Sequence, residues 1–397
     1  MPTQDGMRTR VRLFAEAVVK MASPVLLALE LRKVNLRGEG TWFVRASIST
    51  LAALAMALGV LLMVFLWLRL SKLVEGLKRL NYAASKLFVH LCAILLVSLA
   101  SEILVLISVK CQLYVVGAPP LALLVVLCYL CCWRRDEARD AAMNAVAGCD
   151  RELENSVDFS AGLTTLVFLG LERLALEVHL TSSSNGRHSG SGMPPDDHLE
   201  SCLALSFTAC VIGVVIMLVW TIPPPIRNYD WIIAMRGCIE ASNVALALFI
   251  TVIMVQITWA PLKAMALWVI VPPLISLLWG IYIHFDSQQQ HSEVKPPSLE
   301  LTKFAFAAFL TVSIPSISAC SPLSVWTHAF ILLTALSVVS ALVWRLLGHR
   351  AKPSRAEVAA ANIASSFAHG FAVMALVPFA LMADRNARLA VPPCPQN

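Results

Sequence analysis

Windows of about twenty consecutive apolar residues recur along the whole chain, and that is the length of helix a hydrocarbon core about 30 Å thick requires. Ten stand in the sequence: Ala46 to Leu68, Leu87 to Ser108, Leu113 to Trp133, Val157 to Val178, Cys202 to Ile222, Gly237 to Trp259, Leu262 to Ile283, Phe304 to Ala319, Val325 to Leu347 and Val358 to Met382. Of the 397 residues 58% are hydrophobic and 14% charged, where soluble domains carry about 25% charged residues. An ordinary soluble domain is therefore excluded. The expected fold class is all-α, a polytopic transmembrane helical bundle of about ten spans. A membrane crossed many times is the expected location, and the lipid bilayer is the first expected partner. The fourth window is interrupted by Glu172, Arg173 and Glu177, and the eighth is short and contains Pro315.

Ahead of these windows, residues 1–45 form a basic segment. Glu16 and Lys20 interrupt its apolar part, so no cleaved signal is expected. Phe14, Val18, Met21 and Val25 fall at helical spacing with Arg12, Glu16 and Lys20 elsewhere, which predicts an amphipathic helix on the membrane surface; a solvated tail is the alternative. Residues 46–180 then read as a first transmembrane half and the Ser- and Gly-rich stretch 181–198 as a flexible linker. Residues 199–322 read as a second half, 323–383 as two further spans and 384–397 as a tail.

Clusters of Lys and Arg occur only beside apolar spans, so the net charge of +6 gives no case for a nucleic-acid partner. They act as topology signals. The loops after spans one, three, five, seven and nine carry most of the loop Lys and Arg, which predicts that they lie in the cytoplasm and that the C-terminus lies outside. The basic N-terminal segment falls on the wrong side of this scheme, a conflict that a partial extra span near Ala15 to Leu31 resolves. Of the eleven cysteines none has metal spacing with histidines, and no disulfide framework is implied. Cys131 and Cys132 lie next to Arg134 and Arg135, a setting that suits S-palmitoylation, with ordinary lipid-facing or packed cysteines the favoured reading. Nothing in the sequence fixes an oligomeric state.

Two membrane windows carry a proline pair, Pro119–Pro120 and Pro272–Pro273, and a shift of 153 residues carries one onto the other. The same shift pairs Lys110 with Lys263, His90 with Asn243 and Ser98 with Thr251. Two readings stand: a tandem repeat with a four-helix unit, or two helices kinked independently. In either case a proline deprives the carbonyl four residues earlier of its donor. The orphans are Val115 and Val116 in one window and Trp268 and Val269 in the other. Such carbonyls can bind a cation or polar solute, or be satisfied by a neighbouring hydroxyl or water. Pro315, among serines, predicts a discontinuous or re-entrant eighth segment.

Polar side chains share faces when residues are placed 100° apart around three of the helices. In the second span His90, Ser98, Ser101 and Glu102 lie on one side. Glu240, Asn243, Thr251 and Thr258 do so in the sixth, and Asn362, Ser365, Ser366 and His369 in the tenth. Facing lipid such groups are expensive, so these faces are expected to point into the bundle. Glu102, a carboxylate well inside a span, could carry a proton or pair with a cation, or could be neutral and hydrogen-bonded between helices.

No phosphate-binding loop, paired-histidine zinc helix or nucleophile elbow occurs, so no enzyme activity and no cofactor or metal is expected. His284, Asp286, His291 and Glu293 lie in a polar stretch without fixed geometry, a weak setting for a metal. The expected function is transport or conduction of a small solute or ion. The alternative is a noncatalytic membrane scaffold or regulatory protein.

Overall fold

A computed structural model describes residues 11–23, 59, 84, 87–101, 156–171, 173, 197–220, 229–285, 300–318, 323–348 and 354–390. No strand occurs among the described residues. The helices are α1 (11–23), α2 (Leu87–Ser101), α3 (Ser156–Leu171), α4 (Asp197–Trp220), α5 (Tyr229–Leu262), α6 (Val271–Phe285), α7 (Glu300–Ser318), α8 (Val325–Gly348) and α9 (Arg355–Ala390). A 3₁₀ segment, Lys263–Ile270, joins α5 to α6.

Four stretches among the described residues are long and apolar enough to cross a membrane: Cys202–Val219, Gly237–Ile283, Val325–Gly348 and Arg355–Arg385. α2 and α3 are shorter apolar helices. Four is fewer than the ten windows expected. The first window, Gly59 apart, and the third lie outside the described residues, with Pro119, Pro120, Cys131 and Cys132. The sixth and seventh run together as a single apolar stretch of 47 residues.

The chain divides into two compact units, Met1–Ile250 and Thr251–Asn397, with the boundary inside α5. The linker expected at 181–198 is described only at Asp197 and His198, which begin α4.

In the first unit the core is aromatic and aliphatic: Phe159 and Phe168 of α3, Phe207 of α4, Leu96 and Leu99 of α2 and Met21 of α1 are fully buried. α1 has the expected periodicity, with Phe14, Val18 and Met21 on one side and Arg12 and Lys20 exposed. Arg12 Nε donates to Glu16 Oε1 at 2.7 Å along the solvated side. The apolar face is covered by protein and does not lie open to a membrane surface. Ala15, Ala17 and Ala22 are buried beside it, which widens a narrow stripe into a face broad enough for a core.

Local signals explain where the helices of the second unit begin. Ser354 and Glu357 form a reciprocal capping box at α9: Ser354 N donates to Glu357 Oε2 at 2.7 Å, and Glu357 N to Ser354 Oγ at 3.2 Å. Ser324 accepts from Thr327 N at 3.2 Å ahead of α8. α6 begins with Val271, Pro272 and Pro273, and prolines in a first turn sacrifice no helical bond because those N–H groups have no partner within the helix. The proline pair therefore starts a helix where a break within one was expected. Pro315 departs from expectation in the other direction, since α7 runs unbroken through it from Glu300 to Ser318.

Packing between α6 and α9 of the second unit reverses that of a soluble domain. α8 packs against α7 and α9, and α9 also packs against α6. Leu274, Leu278, Trp279 and Ile281 of α6 and Val373, Leu376 and Val377 of α9 are exposed. The buried face of α9 is made of alanines, Ala360, Ala361, Ala364 and Ala368, and α6 buries Ser276 and Gly280. A Cβ on Gly280 would lie 2.8 Å from the Ala356 carbonyl oxygen and 2.9 Å from Ala360 Cβ, so α6 and α9 approach backbone to backbone. Small residues at the seam permit this, and dispersion between close backbones holds helices where no hydrophobic difference drives them together.

Candidate functional site

In the first unit the buried polar groups gather between α3 and α5. Ser156, Ser160 and Thr164 recur every fourth residue along one face of α3, and all are buried. Asn243 of α5, 2% exposed, meets this face. Ser160 Oγ lies 2.5 Å from Asn243 Oδ1 and 3.0 Å from the Ser156 carbonyl, while Asn243 Nδ2 donates to that carbonyl at 3.1 Å. The amide thus both accepts from and donates to α3. Thr164 Oγ1 donates to the Ser160 carbonyl at 2.7 Å, and its side chain fills the space over Gly213 of α4: a Cβ there would lie 1.9 Å from Thr164 Oγ1. One face of α3 is thus held by an amide at Ser156 and Ser160 and, a turn further on, by the contact of Thr164 with Gly213.

The remaining expected residues are dispersed. His90, Ser98 and Ser101 are half-buried on α2, where Ser101 Oγ donates to the Val97 carbonyl at 2.7 Å. Glu102 lies outside the described residues. Glu240 is half-buried on α5 in the first unit; Thr251 is half-buried and Thr258 buried in the second. Thr258 Oγ1 is taken by the Met254 carbonyl at 2.6 Å.

The expectation of an inward polar face on α9 is not met. Asn362, Ser366 and His369 are exposed on the side opposite the alanines, because the small residues offer the closer approach to α6 and α8 and take the packed side. Ser366 Oγ returns to the Asn362 carbonyl at 3.0 Å. His369 Nδ1 lies 2.8 Å from the Ser365 carbonyl, and its ring meets Trp344 of α8 edge-on at 5.2 Å between centroids.

Sequence reasoning missed Ser156, Ser160, Thr164 and Gly213, although the every-fourth spacing of the first three was a readable signal. It also missed the hydroxyls of α8. Ser337 Oγ crosses to the Ala368 carbonyl of α9 at 2.8 Å, and Ser340 Oγ is buried without a hydrogen-bond partner. At the proline pair, the Trp268 carbonyl, expected as an orphan, accepts from Val271 N–H, the shorter-range bond a 3₁₀ turn supplies. Ser276 Oγ donates to the Pro272 carbonyl at 2.9 Å. No group of three metal-ligating side chains occurs among the described residues. Comparison of the chain with protein-family models, with curated proteins and with solved structures finds no match.

Proposed function

We propose that the chain is a multi-pass integral membrane protein of about ten crossings that moves a small solute or ion through the bilayer. The membrane reading is carried by the packing of α6 and α9, where large apolar side chains face outward and alanine, serine and glycine line the seam. A soluble domain would place these classes the other way round. Length supports the count of crossings. At 1.5 Å per residue the 47-residue stretch Gly237–Ile283 would extend about 70 Å as one helix, over twice the hydrocarbon thickness. Lys263, with φ of 49°, interrupts the α-helix two residues after Pro261, and this break is read as the boundary between the two windows.

Transport is supported by the 3₁₀ interruption within the seventh window, since broken helices recur where membrane proteins bind what they carry. A noncatalytic scaffold is favoured by a different observation: most hydroxyls on the described helices donate to their own helix, and the Trp268 carbonyl is already occupied. Uptake into proteoliposomes over a panel of solutes and ions separates the two. Movement of any member supports transport; movement of none leaves the scaffold. Release of the protein from membranes by carbonate without detergent would refute both.

A further inference from the structure

Lys263 is the one non-glycine residue among the described residues with a left-handed backbone, at φ of 49°. Residues with a side chain rarely adopt it, because Cβ then crowds the following carbonyl oxygen. Its neighbours show what the conformation achieves. Ala266 and Val269 form the buried edge of the 3₁₀ segment, and a three-residue period would put Lys263 on that same edge. Lys263 is exposed instead, and it makes no hydrogen bond or ion pair among the described residues. The left-handed residue breaks the register, and the ammonium leaves the packed edge.

The side chains around it are those of a membrane boundary. Trp259, one turn earlier on α5, is exposed, and so are Met265, Leu267 and Trp268 after it. Outward indoles beside an ammonium are what headgroup layers collect. Lengths agree. α6 by itself rises about 22 Å, too little to cross a hydrocarbon core about 30 Å thick. The 3₁₀ segment, at about 2 Å per residue, extends the path, so that Lys263 stands about 33 Å along it from Tyr282. Tyr282 is exposed and its ring lies 5.7 Å from that of Trp279, which gives the far end an aromatic level of its own. The acidic residues nearest to Lys263 in sequence are Glu240 and Asp286, each 23 residues away. The helices packed on the 3₁₀ segment, α6 and α8, contain no Asp or Glu. An ammonium left at the boundary without a carboxylate complements the phosphate of a lipid.

We propose that Lys263 is a lipid-headgroup site: its ammonium binds the phosphate of a membrane lipid, anionic lipids above zwitterionic ones, with Trp259 and Trp268 in the same boundary layer. Zwitterionic lipids bind less well because their own ammonium group already offsets the phosphate. The site rests on the reading of the two windows as separate crossings, and it anchors the depth of the break between them.

Two measurements in nanodiscs, which leave both faces of the bilayer open, test it. In discs of phosphatidylcholine, Lys263 and Lys303 of the unsubstituted protein should both be acylated by a small neutral succinimidyl ester, read by mass spectrometry. Lys303 is the reference, because Glu300 already supplies its partner at 2.9 Å while a general change in surface potential reaches both amines. With about a third of the lipid replaced by phosphatidylglycerol, acylation of Lys263 relative to Lys303 should fall about fivefold. Inorganic phosphate added to the phosphatidylcholine discs should leave the ratio unchanged. A ratio that ignores phosphatidylglycerol overturns the proposal, as does equal protection by free phosphate or a Lys263 that is unreactive in both discs. Second, phosphatidylglycerol with a photoreactive headgroup should label the peptide around residue 263 in the unsubstituted protein and in Lys263→Arg, and about fivefold less in Lys263→Gln. Equal labelling of the Gln variant overturns the proposal too. Release of the protein by carbonate fells the crossings and the site together; a retained protein with an unchanged acylation ratio fells the site alone.

Discussion

Adding one methyl group at Gly280 tests the packing on which the membrane reading rests. Apolar atoms sit comfortably at about 3.5–4.0 Å, and the new Cβ would find Ala360 Cβ at 2.9 Å and the Ala356 carbonyl oxygen at 2.8 Å. Neither neighbour can rotate away, because one is backbone and the other is fixed to it, so α9 must retreat from α6. Overpacking of this kind costs about 1–3 kcal/mol. Against it stands the helix propensity of alanine over glycine, about 1 kcal/mol. Gly370→Ala supplies the control, since its Cβ meets nothing within 4 Å and it gains propensity alone. The propensity gain cancels between the two variants, so Gly280→Ala should be less stable than Gly370→Ala by about 1–3 kcal/mol. Reversible unfolding of the detergent-solubilised protein by dodecyl sulfate gives both values on one scale. Equal shifts in the two variants would refute the close approach of α6 and α9, and with it the small-residue seam.

Asn243→Leu and Ser160→Ala should each destabilise the protein by about 0.6–2 kcal/mol, and the double variant should cost less than their sum because both remove the same contact; strict additivity in the same unfolding assay would separate the residues. Gly213→Ala should cost at least as much as Gly280→Ala, and Thr164→Ala introduced beside it should recover part of the loss; no recovery would mean that Thr164 is not what fills the space. Glu102→Gln should abolish proton or cation coupling in proteoliposomes with expression retained, because shape and hydrogen-bonding capacity survive; full activity would make the carboxylate structural. A glycosylation sequon placed on a spacer after Asn397 should be modified and one inserted at Gln288 to Gln290 should not. The opposite pattern inverts the orientation, and modification of both means that one of the last three windows does not cross.

Helices were legible wherever a long apolar run met a local stop. Each window from Cys202 onward overlaps one of the helices α4 to α9, and the starts match best at α8 and α9, where Ser324 and the Ser354–Glu357 box mark starts that short-range chemistry decides. Partners were not legible. The face Phe14–Val18–Met21 reads the same whether headgroups or protein cover it, and periodicity reports a face without saying what lies against it. On α9 the error had a different origin. Burial was assigned to the polar side chains because lipid repels them, yet the alanines decide which side packs, through a distance of approach that no hydropathy pattern encodes. The hydroxyl-and-amide seam at Ser160 and Asn243 joins residues 83 apart in sequence, and only the fold brings them together.

The turn at Lys263 also bears on how such a chain enters a membrane. Lys263 is the single Lys, Arg, Asp or Glu between Glu240 and Asp286, and no polar loop separates the apolar windows on its two sides. Ordinary neighbouring helices must send the loop between them across the bilayer, with all its hydrated groups. If the two windows cross separately, as proposed, one ammonium and a few backbone groups make the journey, the lysine costing about 2.5–3.5 kcal/mol on an insertion scale. On the proposed ten-crossing reading, the two windows would leave the translocation machinery side by side as one apolar body, with Pro261 and Lys263 between them. On the same reading, moving that lysine by half a helix length would leave one window too short to cross and the other too long.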